Sequence, residues 1–184
     1  MSNQCSFKDV RTENLGYCPN EETVGGVKAE GAYIPMAQLQ TFTKPVITPT
    51  STYEQRMTIP ATGIVPATGK GFKEITLMVD ESELKNALVG NKGNKKAQVS
   101  LDAMIPNFTA KNLGFVDAHK NTPLMLVITD STGKKWVIPD AFIDKAEGTS
   151  GKKYEDSSGI SITITANSKI YTYAGNIEIT PDVT

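Results

Sequence analysis

Histidine is almost absent from this chain, and that absence excludes most metal sites. His119 is the only histidine among 184 residues, so no site can use two imidazole ligands. It lies in the polar stretch of residues 117–121 with no serine or cysteine nucleophile motif beside it. This favours an exposed loop histidine over a catalytic base, and we expect His119→Ala to leave fold and assembly unchanged.

Cysteine is also scarce. Cys5 and Cys18 lie near the start of the chain, at a spacing that matches neither a zinc site nor a redox motif. The first residues lack the basic and apolar regions of a secretory signal, which favours synthesis in a cytoplasm. Because that compartment is reducing, two free thiols are favoured over a disulfide.

Neither a strong charge nor a long hydrophobic run is present. The formal net charge is -1, which lacks the basic excess typical of nucleic-acid-binding proteins. No segment approaches the roughly 18 apolar residues that span a bilayer. Hydrophobic residues make up 39% of the chain, enough for a core. We therefore expect one domain over residues 1–184 that does not associate with a membrane.

Motifs for catalysis and cofactor binding are missing as well. Residues 90–96 resemble a phosphate-binding loop but lack its Gly-Lys-Ser/Thr ending. The carboxylates of Asp80, Glu81 and Glu83 are explained by the start of a helix and lack the spacing of a calcium loop. We predict no catalytic, cofactor-binding or metal-binding residues, and a protein that is not an enzyme.

What the chain does contain is strand-like alternation. Apolar residues occupy every second position of residues 99–105 and 160–165, which places one face of each strand on a core. Residues 124–128 are apolar without interruption, a pattern typical of a strand that is covered on both faces.

One short α-helix is predicted over residues 80–89. Asp80 and Glu83 have the spacing of a capping box, and Gly90 suits the end of the helix. Leu84 and Leu88 lie on one face. With the alternating segments, this predicts an all-β, mainly antiparallel fold: a β-sandwich or partial barrel of about eight strands with one flanking helix.

Two segments lie outside this regular pattern. Residues 1–30 are predicted to form an N-terminal arm, and residues 42–71, rich in proline and threonine, a long loop or hairpin excursion. The excursion is either an arm that orders against a neighbouring subunit or a mobile surface loop. If it is an arm, deleting residues 43–62 should leave a folded monomer that does not assemble.

The order of several segments resembles that of a known family. Gly-Phe-Lys-Glu-Ile at 71–75 precedes the predicted helix, and Leu-Val-Gly-Asn-Lys-Gly at 88–93 follows its last turn. The turn at 130–134 and the ending at 170–177 continue the resemblance. Over about residues 70–180, this order resembles the major tail tube proteins of long-tailed bacteriophages and prophages of the Bacteroides type.

The resemblance implies a structural virion protein without catalytic residues. In that family, hexameric rings stack into a tube through which double-stranded DNA passes without sequence-specific binding. The expected partners are further copies of this chain and other tail proteins. The expected location is the virion tail, assembled in the bacterial host cytoplasm.

Candidate interface residues come from the excursion and the last strand. Tyr171 and Tyr173 share one face of a strand, where they either pack on the core or anchor a partner. The candidate subunit-interface residues are Tyr53, Arg56, Met57, Ile59, Ile64, Tyr171 and Tyr173.

Two other functions fit the strand pattern. A capsid decoration or adhesion module would remain monomeric or trimeric and would bind a target through its long loop. A small-ligand-binding barrel or β-rich enzyme is less favoured, because aromatic residues make up only 7% of the chain and Trp136 is the one tryptophan.

Overall fold

The computed structural model describes residues 11–15, 25–153 and 156–181. Within them the fold is mainly antiparallel β, as predicted, but has eleven strands rather than about eight. The strands are β1 Val27–Pro35, β2 Leu39–Phe42, β3 Thr58–Ile59, β4 Ile64–Pro66, β5 Lys73–Thr76, β6 Glu83–Val89, β7 Lys96–Pro106, β8 Leu124–Asp130, β9 Lys135–Thr149, β10 Gly159–Ala166 and β11 Tyr171–Tyr173. One α-helix, α1, spans Ala110–His119, and single 3-10 turns span Met36–Gln38 and Val79–Glu81. No helix in the described ranges is long and apolar enough to cross a membrane.

The strand β9 joins two layers. Its first part pairs with β8 and β11, and its second part pairs with β10. Between them the register with β8 shifts, and Asp140 has a φ of 55°. The front sheet has the order β5–β1–β8–β9–β11–β3, and the back sheet has the order β9–β10–β7–β6. The arrangement is sandwich-like and is not a closed barrel.

The main core lies between the two sheets. Val99, Leu101 and Ala103 of β7 are buried there with Ile162 and Ile164 of β10. These are the apolar positions of the two alternating segments, so the predicted strands and their inward faces are confirmed. Leu126 and Ile128 of β8 contribute from the front sheet.

A second core covers the other face of the front sheet. Met125 and Val127 of β8 are buried there with Ile34, Ile59 and Ile64. Since β8 points alternate residues into the two cores, its whole apolar run is buried. The prediction that this strand is covered on both faces is confirmed.

The prediction of a helix over residues 80–89 is wrong. The structure has the Val79–Glu81 turn there, followed by β6, which pairs with β7 from Glu83↔Asp102 to Val89↔Lys96. A helix of this length is marginal without packing, whereas β7 offers a full ladder of backbone partners. A tight turn with positive φ at Gly90 and Gly93 connects the two strands.

The only α-helix among the described residues lies later in the chain. Thr109 caps α1 by accepting a hydrogen bond from the backbone amide of Asn112 at 3.2 Å. Phe115 and Val116 pack against the main core. Residues 113–116 are therefore helical and hold α1 on the main core.

The excursion over residues 42–71 folds back on its own chain. It contains β3, which pairs with β11, and β4, which pairs with β2. Ile59 and Ile64 of these strands are buried in the second core. We therefore no longer expect deletion of residues 43–62 to leave a folded monomer.

The N-terminal region also differs from expectation. β1 begins at Val27, inside the predicted arm of residues 1–30. Cys5 and Cys18 lie outside the described residues, so the prediction of free thiols stands as a prediction. The last strand, β11, spans only Tyr171–Tyr173, and Ile179 forms an isolated bridge with Phe72.

Candidate subunit interface

Among the described residues, no strand pairs with either outer side of the back sheet, which leaves a free edge on each side. Strand β6 pairs with β7 on one side only, and we name its other side, over Glu83–Val89, the β6 edge. Residues 142–149 of β9 pair with β10, while the pairing of β9 with β8 ends at Ala141. No strand of the described chain covers the other side of residues 142–149, which we name the β9 edge. The helix α1 contacts β9 but adds no strand to it. Free edges offer backbone donors and acceptors to another chain.

The outward face of the back sheet is polar and carries both signs of charge. Thr163 donates a hydrogen bond of 2.9 Å to Asp102 Oδ1. Lys85 Nζ lies 2.8 Å from Glu83 Oε2 and 3.5 Å from Asp102 Oδ2. The hydrogen bond and charge of Glu83, with a smaller contribution from Asp102, raise the pKa of Lys85. This face is therefore suited to water or to a weakly held polar partner rather than to an apolar one.

Three of the predicted interface residues are buried within the chain. Ile59, Ile64 and Tyr171 all lie in the second core. Burial raises the pKa of Tyr171. These side chains offer no surface to a partner, because they are already packed inside the subunit.

The other four predicted interface residues are half-buried. Tyr53 donates its hydroxyl hydrogen to the carbonyl of Arg11 at 3.0 Å, and Tyr173 donates to that of Ala61 at 2.8 Å. Burial raises the pKa of Tyr173. Arg56 contacts the carbonyl of Ser51 at 3.4 Å, and Met57 packs against the main core. Their role in an interface remains a prediction.

An open cleft of about 1170 Å³ lies where β6 faces β11. Leu84 and Asn86 of β6 line it, together with Met57, Trp136 and Tyr173. Three of the predicted interface residues, Tyr53, Met57 and Tyr173, therefore share this cleft. Sequence reasoning did not find it, because the pairing of β6 that forms one wall was hidden by the helix prediction.

His119 is not the exposed loop residue that the sequence favoured. It ends α1 and is half-buried, with its ring centroid 5.4 Å from that of Tyr33 and 5.1 Å from that of Phe115. Nδ1 is buried without a hydrogen-bond partner in the described chain. Burial lowers the pKa of His119. Its contacts are those of a packing residue.

The described residues bring no metal ligands together. They contain no group of three or more histidine, cysteine, aspartate or glutamate side chains that could hold a metal ion. The features able to engage a partner are thus the two edges, the polar face and the cleft.

The two edges were missed by sequence reasoning. The β6 edge lies in the predicted helix, and the β9 edge includes the largely polar residues 144–149 at the end of β9. In the β6 segment, the sequence signal that favours a strand is the alternation of the polar residues Glu83 and Lys85 with the apolar Leu84. Comparison of the chain with protein-family models, curated proteins and solved structures found no match, so a function has to be inferred from these surfaces themselves.

Proposed function

We propose that this chain is a non-enzymatic structural protein that assembles into stacked, hexameric rings. The rings would form the tail tube of a long-tailed bacteriophage or prophage, through which double-stranded DNA passes. One observation carries the proposal: within the part of the chain that the structure describes, the back sheet has free edges on both sides, at β6 and at residues 142–149 of β9.

Strand direction makes the two edges compatible. Each neighbouring pair in β9–β10–β7–β6 is antiparallel, so β6 and β9 run in opposite directions. In a rotationally symmetric ring, β6 of one copy would therefore lie antiparallel to β9 of the next. Closing the ring pairs every such edge and removes the aggregation hazard that free edges create.

The polar face supports a conduit. If the back sheets form a continuous wall, the face with Thr163, Asp102 and Lys85 can line the lumen. Tight binding of phosphate needs an excess of cations, and here Lys85 is already paired with Glu83 and Asp102. DNA would then pass without being held. The resulting location is the virion tail, and the further partners are other tail proteins.

A capsid decoration or adhesion module is the second candidate. The cleft with Trp136 and Tyr173 favours it, because aromatic side chains at a concave surface often anchor a partner. Such a module would bind its target as a monomer or trimer and would leave the two edges unpaired.

Solution mass and negative-stain electron microscopy over a concentration series test the proposal. Rings or stacked tubes are expected. A strict monomer at every concentration, also after a tail-tip preparation is added as an initiator, would favour the decoration or adhesion module.

Proline variants test the role of the β6 edge. Consecutive backbone amides point to opposite sides of a strand, so either Asn86→Pro or Ala87→Pro removes a donor from the free edge and spares the ladder with β7. The variant that retains thermal stability should remain monomeric. Rings formed by that variant would show that β6 does not pair between subunits.

A further inference from the structure

The turn between β6 and β7 is exposed and basic. Every residue from 85 to 96 is exposed, and the turn carries Lys92, Lys95 and Lys96 with no acidic residue. None of these lysines forms an ion pair within the described chain. Leu88 is 67% exposed and Val89 is 39% exposed beside them. We name residues 88–96 the hairpin tip.

The opposite end of β6 also combines an exposed aliphatic side chain with exposed charges, but these charges are negative. Val79 is 47% exposed and is followed by the exposed carboxylates of Asp80 and Glu81. Within the described chain these two carboxylates form no ion pair. We name Val79–Glu81 the strand base. Seven residue steps along the extended chain, from Glu81 to Leu88, separate it from the hairpin tip by about 23 Å.

We propose that the hairpin tip of one copy docks on the strand base of a second copy in the adjacent ring. Each surface has exposed aliphatic side chains flanked by charges of one sign, so contact would cover Leu88 and Val79 while lysines meet carboxylates. This inference rests on the proposed function and adds how the rings stack.

The partner is a second copy because one chain carries both halves of the contact at opposite ends of one strand. A shift along the strand direction brings the tip of one subunit towards the base of the next. Tip-to-tip contact would oppose three lysines to three lysines, and base-to-base contact would oppose carboxylates. Charge therefore permits head-to-tail stacking and disfavours both reversed arrangements.

Other charges at the base end lie further from β6. Lys152 and Lys153 belong to the connection between β9 and β10, on the far side of the back sheet, and Asp156 Oδ2 accepts hydrogen bonds from both backbone amides. Within one subunit they lie at the opposite edge of the back sheet from Asp80 and Glu81. In the proposed ring the same connection of the next copy would lie beside the start of β6, and its lysines would then form part of the surface that the tip meets.

Charge reversal tests the docking. The tip variant K92E/K95E/K96E and the base variant D80K/E81K should each form rings of normal mass that no longer stack into tubes. A 1:1 mixture of the two kinds of ring should form tubes again, because each tip then meets a base of opposite charge. K44E/K70E/K134E is the matched control, since it reverses three exposed lysines outside both surfaces and should still form tubes.

The outcomes separate this inference from the proposed function. Tubes of normal length from the tip variant, or a mixture that does not stack, would overturn the docking while the rings remain. A wild-type protein that forms no rings would contradict the proposed function, and the docking with it. The dependence on salt gives a second readout. The Debye length, over which charges interact, falls from about 10 Å at 0.1 M ionic strength to about 3 Å at 1 M, so high salt should dissociate wild-type tubes into rings.

Discussion

Trp136 Nε1 donates a hydrogen bond of 2.8 Å to Asp130 Oδ2 across the turn between β8 and β9. The other carboxylate oxygen, Oδ1, accepts bonds from the backbone amides of Thr132 and Lys134, both at 2.9 Å, and from the Thr132 hydroxyl at 2.6 Å. Asp130 thus closes the turn and fixes the indole that lines the cleft. Burial opposes its ionisation, but the bonds from Thr132, Trp136 and Lys134 outweigh this and hold the pKa of Asp130 below its usual value.

Asp130→Asn should destabilise the protein by about 1–3 kcal/mol at pH 7, because an amide replaces one acceptor oxygen with a donor that faces other donors. Thr132→Val is nearly isosteric, removes only the hydroxyl that donates to Oδ1, and should cost about 1 kcal/mol. Urea unfolding measures both values. A smaller loss for Asp130→Asn than for Thr132→Val would contradict the central role of the carboxylate.

The same carboxylate predicts a pH dependence. Because the pKa of Asp130 is lower in the folded chain, its ionisation stabilises the fold above the unfolded value of about 3.9. This stabilisation is lost as the pH falls through the folded pKa. The difference in unfolding free energy between wild type and Asp130→Asn should therefore shrink on acidification to about pH 3. A difference that is constant with pH would contradict this assignment.

His119 should make stability fall between about pH 7 and 5. Its burial against Tyr33 and Phe115 lowers the folded pKa, so the unfolded chain binds the proton more readily. The stabilisation is complete above the unfolded pKa of about 6.5 and is lost as the pH falls. Thermal unfolding of His119→Phe should depend less on pH in this range. Since the chain has one histidine, no other imidazole can mask the effect. If the stability of wild type and of His119→Phe depends equally on pH, the titrating group is not His119.

Much of the strand pattern could be predicted from the sequence, because burial on a sheet leaves a period of two. Val99, Leu101 and Ala103 on β7 and the continuous apolar run of β8 are such cases. In these strands the side chains themselves record which faces are covered, so local reasoning is sufficient.

The helix could not be placed from local patterns. Leu84 and Leu88 have helical spacing, yet their segment pairs with β7, because tertiary hydrogen bonding outweighs weak propensity. In α1 the glycine at 114 and the absence of a fully buried residue obscured the pattern. The sequence feature that marks the start of α1 is Thr109, a residue type favoured at this position because its hydroxyl can accept a hydrogen bond from the backbone amide of Asn112.

The candidate interface depends on long-range pairing that sequence does not reveal. The β9 edge exists because β8 stops pairing at Ala141 while β9 continues to Thr149. The cleft exists because Leu84 and Trp136 are brought together by different layers. In contrast, the hydrophobic character of Ile59 and Ile64 was noticed but assigned to a partner, since the second core could not be foreseen.

Ile59 tests whether the excursion belongs to the core of the subunit. Its side chain is 0% exposed in the second core, so Ile59→Ala should destabilise the monomer by about 2–5 kcal/mol through lost burial and a residual cavity. Val65 is the matched control in the same excursion, because it is 38% exposed and Val65→Ala should cost less than about 1 kcal/mol. Denaturant unfolding at a concentration where the protein is monomeric measures both. If the two substitutions cost the same, the excursion does not stabilise the subunit, and its contacts would be better assigned to assembly.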